Sequence, residues 1–296
     1  MPTRRSTTTS TTTSPGTRRR AAVTAGAILP LALGLGSQML PSQKAATTSA
    51  PTAQTATSQT TLPQKGSFTP ACTLPFNGVR NPASDDHCGI QGDGTDTADQ
   101  LEATAKNNFC APTAHPQDMT YQELLDLQTK AQSDDNPSGK PIGRTVDDRK
   151  DIENMGEGNY VSYVALIMDA HYSDTTGGEK VNCNMNGNPP NDIHIVLVSK
   201  AGETNECTST TAEMSPHYRP AGWTPAVLNG LKKPVRIRGQ LFYDNSHAVC
   251  GKTKPNPKRA SLWEIHPVYS IDVCKSADLD QCSKAIDDDS QWEAIQ

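Results

Sequence analysis

Several common signatures are missing from this chain of 296 residues. None of its cysteines stands in a Cys-x-x-Cys pair, which argues against zinc-ribbon and thioredoxin-type sites, since both need closely spaced thiols. It has no Gly-x-Ser-x-Gly, no P-loop and no dinucleotide fingerprint, so serine-hydrolase, nucleotide-hydrolase and Rossmann readings have no motif behind them. The uncharged apolar run at 21–36 suits the core of an export signal but is short for a membrane span. Basic excess is missing too: a net charge of −5 is unlike a dedicated nucleic-acid domain, which is usually basic as a whole. Finally, 37–70 holds almost no charge and few large apolar side chains. It cannot bury enough surface to offset its ordering entropy and reads as a Thr/Ser/Pro-rich linker.

What is present points first to a compartment. Arg4, Arg5 and Arg18 to Arg20 precede the apolar run, so 1–36 reads as a signal peptide and the protein as secreted or periplasmic. No clean Ala-x-Ala site follows, which leaves an uncleaved N-terminal membrane anchor as the alternative. The eight cysteines all lie after the linker, and an even number behind an export signal points to disulfides. Pairing does not follow from sequence. Bridges Cys183 to Cys207 and Cys250 to Cys274 would staple neighbouring strands, and Cys88 to Cys110 is a plausible third.

Residues 71–151 read as a small helical lead-in. One helix is expected at about 96–107, and another opens at Thr120 with Glu123 completing a capping box. Asp85, Asp86, His87 and Cys88 read as a solvated turn beside a disulfide rather than as a metal site. From 152 to 275 the pattern is that of strands: 160–172, 192–198, about 207–214, 235–243 and 262–274. One short helix falls between the third and fourth, with Thr224 as N-cap, Pro225 at the first position and Gly230 as the stop. The fold class is therefore mostly β, an OB-like five-stranded Greek-key barrel with one short helix between strands 3 and 4. A β-sandwich is the rival. Alternation places Ile193, Ile195 and Leu197 on one face of the second strand. It places Trp263, Ile265, Tyr269, Ile271 and Val273 on one face of the fifth. An acidic tail at 276–296 completes the chain.

Six stretches carry a resemblance. They are Lys-Asn-Asn-Phe-Cys-Ala at 106–111, Gly-Glu-Lys-Val-Asn-Cys at 178–183 and Asn-Asp-Ile-His-Ile at 191–195. The others are Glu-Met-Ser-Pro-His-Tyr-Arg at 213–219, Gly-Gln-Leu-Phe-Tyr-Asp at 239–244 and Arg-Ala-Ser-Leu-Trp-Glu-Ile-His-Pro at 259–267. In these the chain resembles a family of exported bacterial proteins of uncharacterised function. The resemblance covers about 88–274 and implies export and a compact β-rich domain, with no activity to carry over.

Two groups of residues carry chemistry. Acid and histidine pairs occur as Asp192 with His194, Glu213 with His217, Asp244 with His247, and Glu264 with His266. On a strand, residues two apart share a face, so Asp192 with His194 and Glu264 with His266 could each present imidazole and carboxylate together. Asp192, His194, His247, Glu264 and His266 thus form a candidate polar or metal cluster, with a divalent ion such as zinc as its cofactor. Equally, each histidine could simply donate to its neighbour and fix strand register.

The second group is basic: Arg219, Lys232, Lys233, Arg236, Arg238, Lys252, Lys254, Lys258 and Arg259, with Asp244 as the acid among them. A face of this kind suits a polyanion or polysaccharide, such as extracellular DNA or a cell-wall polymer. Its plainer reading is a solvated face balanced by acids such as those of the tail at 278–289. A thermonuclease-type site would use Asp192, Asp244, Arg236 and Arg238, but that family's motifs are not found. The leading expectation is a ligand-binding or interaction module without a cofactor. The alternative is a metal-dependent hydrolase.

Overall fold

The computed structural model describes residues 70, 72–81, 87–133, 145–173, 176–251 and 258–295. The expected signal at 1–36, nearly all of the linker, Asp85, Asp86, Lys252 and Lys254 lie outside the described residues. Three helices lead in. The first, α1 (Thr97–Lys106), is capped by Asp96, whose carboxylate accepts from Asp99 N at 2.9 Å. A short strand β1 (Gln117–Met119) follows, then α2 (Tyr121–Ser133). Here Glu123 N donates to Thr120 Oγ1 at 3.2 Å and Thr120 N donates to Glu123 Oε2 at 2.7 Å, the reciprocal pair of a capping box. The third, α3 (Val146–Met155), has no counterpart in the sequence reading.

The barrel strands are β2 (Tyr160–Tyr172), β3 (Ile193–Val198), β4 (Thr210–Met214), β5 (Val235–Tyr243) and β6 (Trp263–Cys274). Antiparallel ladders join β2 to β3, β3 to β4, β6 to β5 and β5 back to β2, while β4 and β6 pair in parallel. The sheet closes in the order expected of an OB-like Greek-key barrel, with α4 (Pro225–Gly230) between β4 and β5. Closure removes the free edges that a sandwich would leave. Two strands are added outside the barrel: β1 beside β2, and β7 (Trp292–Ala294) beside β6.

Ile193, Ile195 and Leu197 fill the interior as alternation requires, with Ala212, Met214, Val235, Ile237, Leu241, Trp263 and Ile265 around them. Alternation fails in the middle of β6. Val268 and Ile271 enter the core, while the Tyr269 hydroxyl points away and donates to Asn108 O at 2.7 Å. The cause is a register shift around Gly239, which pairs with Val268. A Cβ at Gly239 would lie 2.5 Å from Pro267 O and 2.4 Å from Ile265 Cγ2, so only glycine lets the strands approach there.

The disulfides join Cys72 to Cys110, Cys88 to Cys183, Cys207 to Cys250, and Cys274 to Cys282. The pairings expected from spacing are not formed. Cys183 precedes β3 and Cys207 follows it, so the strand, roughly 20 Å at 3.3 Å per residue, holds them beyond bridging reach. Likewise Cys274 sits by the start of β5, since Val273 pairs with Val235, whereas Cys250 lies past the end of β5. Helix α1 separates Cys88 from Cys110, and each finds a different partner.

The acidic segment after 275 is packed rather than trailing. It forms α5 (Leu279–Lys284) and β7, is tied by Cys282, and buries Trp292 against the barrel. Four disulfides mark a chain that matures under oxidising conditions. Among the described residues no helix is long and apolar enough to cross a membrane.

Replacing Gly239 by valine is expected to lower stability by about 1–3 kcal/mol through overpacking. Gly230→Ala, where a Cβ meets nothing within 4 Å, should stay within about 0.5 kcal/mol. Urea unfolding without reductant checks both, and equal costs would contradict the close-approach argument.

Candidate functional site: a buried charge cluster beneath α1

Because Ile193, Ile195 and Leu197 face inward, His194 faces outward, and the same alternation turns Glu213, Glu264, His266, Gln240 and Phe242 outward. This outer face is not left to solvent. Helix α1 and its C-terminal turn lie over it: Gln240 Nε2 donates to Ala105 O at 2.8 Å, Asn108 Nδ2 to Gln240 Oε1 at 2.7 Å, and Ser215 Oγ to Lys106 O at 3.4 Å. Asp192, Glu213, Asp244, Arg259, Glu264 and His266 are consequently at most 1% exposed, and His194 is 6% exposed.

Glu213 is the hub. Its Oε1 lies 2.9 Å from His194 Nε2 and its Oε2 lies 3.2 Å from His266 Nδ1. His266 also reaches Glu264 Oε1 at 3.3 Å, Ser215 Oγ at 3.1 Å and Asp192 Oδ2 at 3.6 Å. Arg259 then bridges outward, from Glu264 Oε2 at 2.6 Å to Asp244 Oδ2 at 3.1 Å, and Asp244 holds the His247 ring through Nδ1. On the far side Asn182 Nδ2 donates to Asp192 Oδ1 at 2.8 Å and to Glu179 Oε2 at 3.0 Å.

All five residues of the expected polar cluster therefore join one network: Asp244 with His247 and Glu264 with His266 pair as the sequence suggested, whereas Asp192 and His194 each turn to other partners. Asp192 and His194 stand about 6.6 Å apart along their strand, whereas His194 and Glu213 face each other across a ladder at about 5 Å. The network draws on distant parts of the chain: Lys106, Asn182, Asp192 with His194, Glu213 with Ser215, Gln240, Asp244, and Arg259 with Glu264 and His266. Sequence reasoning did not single out Lys106 or assign Glu213 its partners. Lys106 ends a helix far away in the chain, and the partners of Glu213 depend on strand register.

Charge balance governs the cluster. Burial alone would lower the imidazole of His194, but the Glu213 carboxylate pushes it up to about 9. His266 is likewise opposed by burial and carried up to about 10 by Glu213, Glu264 and Asp192. Burial would raise Glu213, yet His194, His266 and Lys106 hold it well below the usual carboxylate range. Asp244 behaves alike under Lys106, Arg259 and His247. Glu264 moves the other way: burial raises it, and Glu213 adds to the rise.

A pocket of about 600 Å³ opens beside the cluster, walled by α1, the turn at 178–181 and the turn at 245–247. Asp96, Asp99, Glu102 and Glu179 supply its carboxylates, Lys106 and Lys180 its ammonium groups. Burial, followed by the charges of Asp192 and Glu213, pushes Glu179 up to about 7. The Lys106 ammonium reaches Glu102 only at 3.9 Å and makes no hydrogen bond among the described residues, and His247 Nε2 has no partner there either.

The candidate polyanion residues do not form one free face. Arg259 is locked inside the cluster, and Arg219 donates to Asn191 O, Met214 O and Pro189 O. Arg236 is buried against Asp272, Ile286 O and the Trp292 ring, and Asp289 binds both Arg236 and Arg238. The segment after 275 thus covers the basic side of β5. Lys232 and Lys233 donate to Asn229 O and Lys275 O, and Lys258 lies 3.7 Å from Glu206. In comparisons with family models, curated proteins and solved structures, nothing matches this chain.

Replacing Glu213 by glutamine removes the counter-charge beside the buried His194 ring and leaves His266 with Glu264 and Asp192 alone. The expected cost is about 3–5 kcal/mol in urea unfolding. A loss under about 1 kcal/mol, the size of an exposed pair, would show that Glu213 is not the hub.

Proposed function

We propose that the chain is an exported binding module, built on an OB-like barrel, that takes a saccharide of a cell-wall polymer in the pocket beside the charge cluster. The observation that carries this is the Lys106 side chain, some nine-tenths buried, whose ammonium lines the pocket with Glu102 at 3.9 Å and the Phe242 ring at 5.4 Å beside it. An ammonium with no short hydrogen bond is free to donate to a ligand hydroxyl that enters the pocket.

The lining favours a neutral, hydroxyl-rich ligand. Carboxylates on two walls would repel a polyanion, and Lys106 with Lys180 would repel a polycation. Sugar hydroxyls both donate and accept, and so satisfy ammonium and carboxylate groups together. Export fits the basic-then-apolar N-terminus and the four disulfides, and the resemblance to exported bacterial proteins rests on the stretches that build the cluster. A polyanion is the second reading, reduced to Lys232, Lys233 and Lys258 because the arginines are engaged within the protein.

Co-sedimentation with purified peptidoglycan and with chitin, alongside retention on heparin resin, separates the two. We expect retention by a polysaccharide with little dependence on salt. His247→Gln or Lys106→Met should weaken it about tenfold, or about 1.4 kcal/mol. Retention on heparin alone, falling steeply with salt and abolished by Lys232→Ala with Lys233→Ala, would overturn the pocket reading in favour of the polyanion.

A further inference from the structure

We propose that the buried cluster beneath α1 is a divalent-metal centre whose protein ligands are Asp192, Glu213 and His266. One donor atom from each lies within 4.8 Å of the other two, and all three residues are buried. They come from the start of β3, from β4 and from β6, so the convergence is made by the barrel's register rather than by any local motif.

A second observation points to a ligand. Asp192 Oδ2 and both carboxylate oxygens of Glu213 are buried without a hydrogen-bonding partner, as is His194 Nε2. His194 Nε2 and Glu213 Oε1 are only 2.9 Å apart, yet neither is engaged in a hydrogen bond, so they are close but not aligned on each other. Asp192 Oδ2 is the oxygen with the least compensation, 3.6 Å from His266 Nε2 and hydrogen-bonded to nothing, and a buried carboxylate oxygen in that position favours a bound cation.

The surroundings are those of a supported centre. Asn182 Nδ2 fixes the other oxygen of Asp192 at 2.8 Å. Glu264 meets His266 Nδ1 at 3.3 Å and is itself held by Arg259 at 2.6 Å, which orients the ring and leaves Nε2 toward Asp192 Oδ2, 3.6 Å away. Carboxylates behind a ligating imidazole serve this purpose in metal sites generally. Arg259 and Lys106, together with the rings of His194 and His266, already stand against the four carboxylates Asp192, Glu213, Asp244 and Glu264, so the ion enters in exchange for the proton of the His266 ring.

A second group of carboxylates, Glu213, Asp244 and Glu264, is also within range, but Arg259 already lies between Asp244 and Glu264. Imidazole with carboxylate donors suits zinc or manganese better than calcium, which prefers oxygen alone. Between the pocket and the centre stands Asn182, which bonds both Glu179 on the pocket wall and Asp192.

The full-length oxidised protein, purified without chelator, should carry roughly one zinc or manganese ion per chain by elemental analysis. After dialysis against EDTA, titration with ZnCl2 or MnCl2 followed by calorimetry and thermal melting should restore binding and raise Tm. Asp192→Asn should weaken the affinity at least tenfold and Asn182→Ala by about tenfold, whereas His171→Gln, at an exposed His171 to Asp169 pair, should leave it unchanged. If the Asp192 variant fails to fold, the wild-type titration decides alone. Wild-type protein that holds no metal above trace and shows no Tm shift with either ion overturns the proposal. So does binding that survives Asp192→Asn but disappears with His171→Gln. Loss of metal with polysaccharide retention intact would leave the saccharide reading standing, so the two proposals fail separately.

Discussion

The structure depends on how one buried carboxylate is neutralised. Glu213 stands on the outside of a closed barrel, where water would ordinarily solvate it, but α1 and its C-terminal turn remove that water. A carboxylate in that position cannot remain charged without partners, and two imidazoles from neighbouring strands supply them. Their own partners, Glu264, Asp192 and Arg259, follow from the same requirement, and the chain of compensation runs to Asp244 and His247 at the pocket. Strand register is fixed from inside by apolar packing and from outside by this network. A slip of one residue would put Glu213 into the apolar core.

The cover over the outer face also shapes what the protein can do. In OB barrels the face of the second and third strands is the usual ligand surface, an analogy of fold only. Here that face carries His194 and Glu213 and is closed by α1, while the basic side of β5 is covered by the segment after 275. The pocket that remains lies where α1 meets the two turns, beside the buried cluster, and it is there that the proposed binding is placed.

Strand positions, the helices near 96–107 and at Thr224 and the cap at Thr120 were legible in the sequence because each depends on local chemistry: alternation, an N-cap oxygen, a proline at the first helical turn. The closing order of the barrel followed from the placement of one helix among five strands. Other features were not legible, for physical reasons that can be named. Tyr269 left the core because Gly239 admits a register shift that period-2 counting does not see. The disulfides went to other partners because proximity in sequence places Cys183 and Cys207 at opposite ends of one strand. The arginines of the expected basic face were read by charge alone, whereas Arg236 and Arg259 are partners to buried acids. For the cluster, the local pairs Asp244 with His247 and Glu264 with His266 were legible, but the partner of His194 was not, since it meets Glu213 only through the ladder between β3 and β4.

The central claim is that the outward-facing charges act as one balanced unit, and a double-mutant cycle on Arg259 and Glu264, 2.6 Å apart and fully buried, measures it most directly. Arg259→Met and Glu264→Gln should each be strongly destabilising in urea unfolding, and the double variant should cost less than their sum by about 0.5–3 kcal/mol or more, because each single change strands a buried charge that the double change removes. Costs that simply add would mean the two residues fold independently, and the account of a single charge-balanced cluster would be wrong.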